Sequence, residues 1–385
     1  MSLLNPVRRP RPHGSTARRR RSPLAALEAV AAKLGALEAL ATPHGVDRYL
    51  ELVHPMLTVR ELRAVVTDVE RSTPDSVTLT LRPTRQWKGF QAGQFVQIAV
   101  DIDGVRHSRC YSPSCSQYRA DGRIEITIKA HPQGVVSQFL HGNATPGLVL
   151  GLSQADGVFR LPAERPEKIV LLSGGSGITP VLSMLRTLTD ENYEGEIVFL
   201  HYAFTENDVA HLAQLRELAG RHHNVRLVLA YTKQADGGDL HGLFDETHLA
   251  EVAPWYAQDA ATYLCGPPGL MATIREHYAA KGIEDSLHTE EFTPPLVAPS
   301  DGDVSGAIAF GDTVVENSGA TLLEQAEAAG LTPEYGCRMG ICFTCTKVKT
   351  SGCTRNVLNG ELHTDPDTEV QLCISAPVGD VAIDL

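Results

Sequence analysis

The sequence contains no run of eighteen apolar residues, so nothing in it predicts a membrane-spanning helix. Acidic residues are missing from positions 1–22, which carry seven arginines (Arg8, Arg9, Arg11 and Arg18 to Arg21). The net charge of −12 therefore hides a remainder near −19. So acidic a body argues against nucleic acid as the main partner. A clean signal-peptide core is also missing, because Glu28, Lys33 and Glu38 interrupt the apolar stretch after the basic start. No internal repeat is visible. Eight cysteines are present: Cys110, Cys115, Cys265, Cys337, Cys342, Cys345, Cys353 and Cys373. In a long chain with no evident secretory leader they are expected as thiols or metal ligands in a reducing cytosol, not as a disulfide framework.

At 385 residues the chain should hold two or three domains. Residues 1–57 read as a basic N-terminal arm followed by an amphipathic helix. Ser22 and Pro23 make a helix start, and Leu27, Val30, Leu34 and Leu37 recur at helical spacing. Such an arm can lie on a membrane surface or on a partner, or it can be a solvated tail. Over 58–164 the stretches 76–82, 94–100 and 123–129 alternate or are β-branched, which predicts a small antiparallel β-barrel. Over 165–293 buried strands at 168–172, 196–202, 225–231 and 262–265 alternate with helical text, the pattern of an α/β parallel-sheet domain. Residues 294–303 are proline-rich and read as a linker, and 304–385 form a further compact α+β unit.

That last unit carries the most specific signal. Cys337, Cys342, Cys345 and the distant Cys373 have the C-x4-C-x2-C…C spacing of a plant-type [2Fe–2S] cluster. A zinc site is the rival, but zinc knuckles favour two C-x2-C pairs and only Cys342 and Cys345 form one. Gly336 and Gly340 would let the loop wrap a metal centre. Cys353 is expected to have no part in it.

Four other motifs carry chemistry. In Arg109-Cys-Tyr-Ser112 an arginine suits a phosphate, Tyr111 can lie on an aromatic ring system, and Ser112 can hydrogen-bond a ring nitrogen. Gly134-Val135-Val136-Ser137 opens a helix whose amides suit a pyrophosphate. Gly174, Gly175, Gly177, Thr179 and Pro180 form a glycine turn between strand and helix, where dinucleotide phosphates approach backbone. Cys265-Gly266-Pro267 ends another parallel strand, and Cys265 there is either a neighbour of a nicotinamide ring or a small buried thiol. Finally Glu290-Glu291-Phe292 offers a carboxylate to relay a proton, taken as Glu291, and Phe292 as an aromatic to cover a ring face.

Taken in this order, these residues resemble the ferredoxin–NADP reductase family, in the form with a β-grasp ferredoxin domain at the C-terminus. The resemblance covers about residues 58–385. It implies FAD held by Arg109, Tyr111, Ser112 and Gly134 to Ser137, NADPH or NADH held by Gly174 to Pro180, Thr205 and Cys265 to Pro267, and a [2Fe–2S] cluster held by the four cysteines. Tyr111, Ser112, Cys265 and Glu291 are expected at the chemistry. No clear basic cluster follows Tyr202 for the 2′-phosphate of NADPH, and Arg226 and Lys233 stand as candidates. FMN-binding relatives share the Arg-x-Tyr-Ser motif, and FAD is favoured because 134–137 supplies a pyrophosphate site. The segments 46–55 and 60–63 resemble the entry to bacterial reductases that serve membrane fatty-acid desaturases. The expectation is therefore an NAD(P)H-driven relay to a membrane desaturase, in the cytoplasm, with a basic arm able to make peripheral contact with the membrane. A soluble oxygenase as the acceptor is the alternative, and a non-catalytic redox sensor is a third reading.

Overall fold

The computed structural model describes residues 46–132, 134–292, 304–336, 338–340 and 343–385. The basic arm, the helix expected over 23–41, the linker, Cys337 and Cys342 lie outside the described residues. The chain divides into two compact units, Met1–Glu61 and Leu62–Leu385. In the first, the helix Val46–Val53 is followed by a return segment gathered onto one carboxylate. Asp47 accepts from the amides of Val59, Arg60 and Glu61 and from the Thr58 hydroxyl. Burial alone would raise the Asp47 carboxyl, but those backbone donors outweigh it and hold it below the usual range. Among the described residues no helix is long and apolar enough to cross a membrane.

The second unit contains three six-stranded sheets. The first is antiparallel and joins β1 (Arg63–Thr73), β2 (Ser76–Pro83), β3 (Val96–Ile102), β4 (Val105–Tyr111), β5 (Ile124–Lys129) and β6 (Val149–Leu152) in the order β4-β3-β6-β1-β2-β5. Its two edges meet beyond the end of β4. Pro113 bridges to Ile126, and the Ser114 amide donates to the Glu125 carbonyl at 2.8 Å. That contact brings the open edges together as a barrel does. Alternating residues such as Leu79, Leu81, Ile98, Ile124 and Ile126 fill the interior.

The second sheet is parallel. It runs β10-β9-β8-β7-β11-β12, with β7 at Lys168–Gly174, β8 at Glu196–Ala203, β9 at Val225–Tyr231, β10 at Leu240–His241, β11 at Ala261–Cys265 and β12 at Leu287–Glu290. Strands buried on both faces read as continuous apolar runs, as Ile169 to Leu172 do. The order reverses between β7 and β11, so the crevice at the carboxyl ends of these two strands is where such a sheet takes its ligand.

The third sheet has β13 (Ala307–Phe310), β14 (Thr313–Glu316), β15 (Thr346–Asn356), β16 (Leu362–His363), β17 (Thr368–Gln371) and β18 (Ser375–Asp384). The helix Leu322–Ala328 buries Leu322, Leu323 and Ala326 in its core. All three expected fold types are thus observed. Three additional strands, β1, β4 and β6, complete the barrel.

Polar groups lock the first two sheets together. The Thr127 hydroxyl meets His211 Nε2 at 2.7 Å, Ser183 donates to the Cys115 carbonyl at 2.7 Å, and Arg186 donates to the Ser114 carbonyl at 2.7 Å and to Glu125 at 2.9 Å. Burial lowers His211 to about 4, so it stays neutral in this network.

Candidate active site

The site assembles where the end of β4 meets the crevice of the parallel sheet. Register places Ser173, at the end of β7, opposite Cys265 at the end of β11, and Cys265 in turn opposite Glu290 at the end of β12. From the barrel, Ser112 reaches across and donates to Glu290 Oε2 at 3.2 Å. Ser112, Cys265 and Glu290 are therefore brought together from two domains.

The two glycine turns meet each other in the same crevice. A Cβ at Gly177 would sit 2.2 Å from the Cys265 carbonyl oxygen, and one at Gly174 would strike Pro267 and Leu270 at 2.8 Å. A Cβ at Gly266 would lie 3.1 Å from the Gly174 amide. Gly175 has φ +53°, which L side chains rarely adopt. These glycines are explained by the close approach of the two turns to each other at the start of the helix Ile178–Asp190, where backbone amides suit a phosphate. Thr179 turns its hydroxyl to the Ser176 carbonyl, and Pro180 is buried in the first turn of that helix. The Gly177→Ala variant must push the two turns apart. It is expected to weaken use of the expected nicotinamide dinucleotide about a hundredfold in kcat/KM, since a displacement near 1 Å has that effect on positioned reactants. Retained barrel cofactor in the purified variant would show that only the dinucleotide side has moved.

Buried groups here are tuned by desolvation. Cys265 is fully buried, and burial with the charges of Glu290 and Glu291 pushes its thiol well above the usual range, so it stays protonated. Burial raises Glu290 to about 8, against the opposing hydrogen bond from Ser112. A carboxyl so placed holds its proton at neutral pH and can exchange it slightly above. Tyr111 packs against the barrel core, and burial pushes its phenol upward. Ser173 and His201 Nδ1 lie 2.8 Å apart beneath the glycine turn, and burial lowers His201 to about 3.

The structure departs from the sequence expectation at two residues. Glu291 is engaged by Arg275, whose other arm reaches Thr289, so it does not face Ser112. Adjacent residues of an extended strand end point to opposite sides, and it is Glu290 that shares the side of Cys265. Thr205 spends both its amide and its hydroxyl on Asp208, at 2.9 and 2.6 Å, closing a short turn. Of the two cations considered for a 2′-phosphate, Arg226 sits at the amino end of β9 and donates to the Val252 carbonyl. Lys233 lies just past the carboxyl end, with its ammonium 3.7 Å from the centre of the Phe204 ring. Phe292 is half-buried two residues past the end of β12.

Gly134 precedes the helix Val135–Asn143 without a side-chain cap. Ser137 donates to the Gly134 carbonyl and accepts from the His131 amide, both at 3.1 Å, which pins the turn. Val136 is buried and Val135 is 48% exposed. Arg109, two residues before Tyr111, donates to the Ser108 carbonyl at 2.7 Å and to the Gly336 carbonyl at 3.3 Å. Gly336 adjoins Cys337, so β4 touches the cysteine loop directly. Tyr335 strengthens that contact through His107 Nδ1 at 3.3 Å, with the Arg338 guanidinium 4.0 Å from the centre of its ring.

Within the loop, Cys345 and Cys373 are both buried, and the Cys373 amide donates to Cys345 Sγ at 3.5 Å. Gln371 holds the Gly340 carbonyl at 2.8 Å, and Gly340, at φ +79°, leaves no room for a Cβ against Ile374. The Thr346 hydroxyl beside Cys345 is buried without a partner. Two buried sulfurs, an amide aimed at one of them and an orphaned hydroxyl fit an inorganic sulfur cluster. Cys353 lies seven residues along β15 from Thr346, roughly 20 Å or more at strand rise, which removes it from any such set.

Three family models match in chain order: an oxidoreductase FAD-binding domain over 63–160, an oxidoreductase NAD-binding domain over 171–276 and a 2Fe-2S iron-sulfur cluster binding domain over 309–378. An NADPH oxidoreductase of Mycobacterium tuberculosis is 35% identical over 90% of each chain. The glycine betaine monooxygenase reductase subunit of Pseudomonas aeruginosa is 31% identical, over 77% of this chain and 87% of its own. Phthalate dioxygenase reductase, described as a modular structure for electron transfer from pyridine nucleotides to [2Fe–2S], shares the fold at a TM-score of 0.57, 21% identity and coverage of 85% and 98%. The chain belongs to the ferredoxin reductase-type oxidoreductases that join FAD-binding, NAD-binding and [2Fe–2S] domains in one polypeptide.

Proposed function

We propose that the protein takes hydride from NADPH and delivers electrons singly to an oxygenase. The observation that carries this reading is the convergence of Ser112, Cys265 and Glu290 at the sheet crevice, with β4 also touching the cysteine loop through Arg109 and Gly336. Bound FAD supplies the change from a two-electron hydride to single electrons, and the cluster carries them one at a time. Arg109, Tyr111, Ser112 and the amides of residues 134–137 would hold the FAD. The turns 174–180 and 265–267 would seat the dinucleotide, and Cys337, Cys342, Cys345 and Cys373 the cluster. Cys265, neutral and buried, would add no charge where the dinucleotide is seated. Ser112 and Glu290 hold a proton at the reacting edge.

Relatives named for monooxygenases support an oxygenase rather than a membrane desaturase as acceptor. The 35% identical NADPH oxidoreductase supports NADPH as donor. Its match spans 90% of this chain and so includes part of Met1–Glu61. Lys233, at the carboxyl edge of the sheet, is the side chain we assign to the 2′-phosphate. Anaerobic titration with NADPH and NADH, followed in the flavin and cluster bands, tests the relay. Both bands should bleach in the wild type. Lys233→Ala should weaken NADPH about tenfold, the worth of one charge-assisted contact, and leave NADH unchanged. Bleaching of the flavin band alone would sink the relay. Coupled turnover with oxygenase and desaturase components then decides the acceptor.

A further inference from the structure

Phe343 occupies a position that both its backbone and its side chain disfavour. Its φ is +56°, in the left-handed region where a bulky residue is an outlier, and its ring is 66% exposed. Glycine would meet the backbone demand at no cost, as Gly340 does in the same loop. No burial compensates. Strain of this kind persists where it serves a function.

Its place in the loop indicates which function. Phe343 stands between Cys342 and Cys345, and its carbonyl receives the Thr346 amide at 3.1 Å. On the other arm of the loop, Tyr335 and Gly336 are turned onto β4 through His107 and Arg109. One side of the cluster loop is thus committed to the source of electrons, and the side carrying Phe343 is open. The surrounding domain is strongly acidic, with eleven acidic against four basic residues over 304–385. Of those four, Lys349 is buried on the Gly352 and Asp365 carbonyls, and Arg338 is engaged by Glu327 and Tyr335. Exposed Glu369 lies on β17, two residues from the Gln371 that holds the loop.

We propose that Phe343 is the anchor on which the electron-accepting protein docks, and that this partner presents an apolar recess within a rim of basic side chains around its own redox centre. The inference rests on the relay reading above. An aromatic anchor inside a charged rim divides the work in the usual way, with the ring holding the complex and the charges steering it. Docking there sets the acceptor against the loop that holds the cluster, at the side away from β4.

Cytochrome c, a basic haem protein with an exposed apolar haem edge, serves as the probe. Steady-state reduction is measured with the holoenzyme for wild type, Phe343→Gly and Phe343→Leu. Phe343→Gly is expected to raise KM for cytochrome c at least about fivefold, the lower end for loss of an interface anchor, with kcat little changed. Its melting temperature should not fall, because glycine relieves the left-handed strain. Phe343→Leu, which keeps an apolar side chain, should recover part of the KM. Raising the salt concentration should increase KM in all three. An unchanged KM in Phe343→Gly overturns the proposal while leaving the relay intact. A wild-type enzyme that reduces ferricyanide but not cytochrome c overturns the relay itself.

Discussion

Replacing Cys373 by Ala is expected to abolish the cluster absorbance and to lower NADPH-driven cytochrome c reduction by about a hundredfold, with ferricyanide reduction kept within about twofold. The asymmetry follows from the layout. Ferricyanide can take electrons at the barrel, whereas a protein acceptor docking on the cysteine loop cannot. Alanine is the informative substitution because it has no atom to offer a metal. The loss should carry a structural signature as well. Cys373 follows Leu372, whose amide bonds the Cys345 carbonyl at 3.1 Å, and a cluster held by both cysteines would add a second tie between the loop and the β17–β18 turn. Without it the C-terminal domain should melt at lower temperature than the rest of the protein. Cys353→Ala is the matched control and should keep wild-type absorbance and both activities. Loss of absorbance in that variant would mean the ligand set has been misread.

Glu290→Gln is expected to slow NADPH-driven ferricyanide reduction by about two orders of magnitude, the usual contribution of a positioned proton-holding group. In the wild type the rate should fall as pH rises through about 8, where Glu290 loses its proton. A hydride transfer brings negative charge to the reacting edge, and a neutral carboxyl beside Ser112 tolerates that where a carboxylate opposes it. The glutamine variant should lose this break in its pH profile. Stability should also fall as pH rises. The folded value lies above the unfolded one, so between about 4.5 and 8 the native state binds more protons than the unfolded chain. The penalty for burying Glu290 therefore grows as pH rises from about 4.5 and is complete above about 8. It reaches about 5 kcal/mol at about 1.4 kcal/mol per unit, less whatever the site relaxes. Glu290→Gln removes it, so the variant should melt at higher temperature than wild type at pH 9 and differ little at pH 5. A slow variant with no gain in alkaline stability would mean that Glu290 is not buried in its protonated form. Glu291→Gln, which touches Arg275 instead, should show neither effect.

Neither the contact of Glu290 rather than Glu291 with Ser112 nor the placement of Lys233 rather than Arg226 at the carboxyl end of β9 was legible before the fold. Both decisions depend on strand register and direction. Glu290 faces the site because β11 and β12 pair in parallel with Cys265 opposite Glu290, and a shift of one residue would have exchanged the two carboxylates. Arg226 and Lys233 are seven residues apart in the sequence but at opposite ends of β9, and only the carboxyl end of a parallel strand faces the ligand. Thr205 was expected to help hold the dinucleotide, but its hydroxyl closes a local turn on Asp208. Such a side-chain contact competes with ligand binding, and only the coordinates reveal it.

Other features were readable directly. Strands β2, β5, β8 and β9 announce themselves by alternation or by unbroken apolar runs, because the period of the side chains is a local property. The cysteine spacing is local for three of four ligands, and the glycine turns reflect local backbone demand. By itself the sequence thus determined the kinds of domain, their order, the cofactor classes and the cysteines to test. The tertiary structure decided which carboxylate meets Ser112, which arm of the cysteine loop meets β4 and which arm, with its strained Phe343, stays open. Those are contacts between residues far apart in the chain. They arise from register, sheet order and domain packing, which no local pattern of residues encodes.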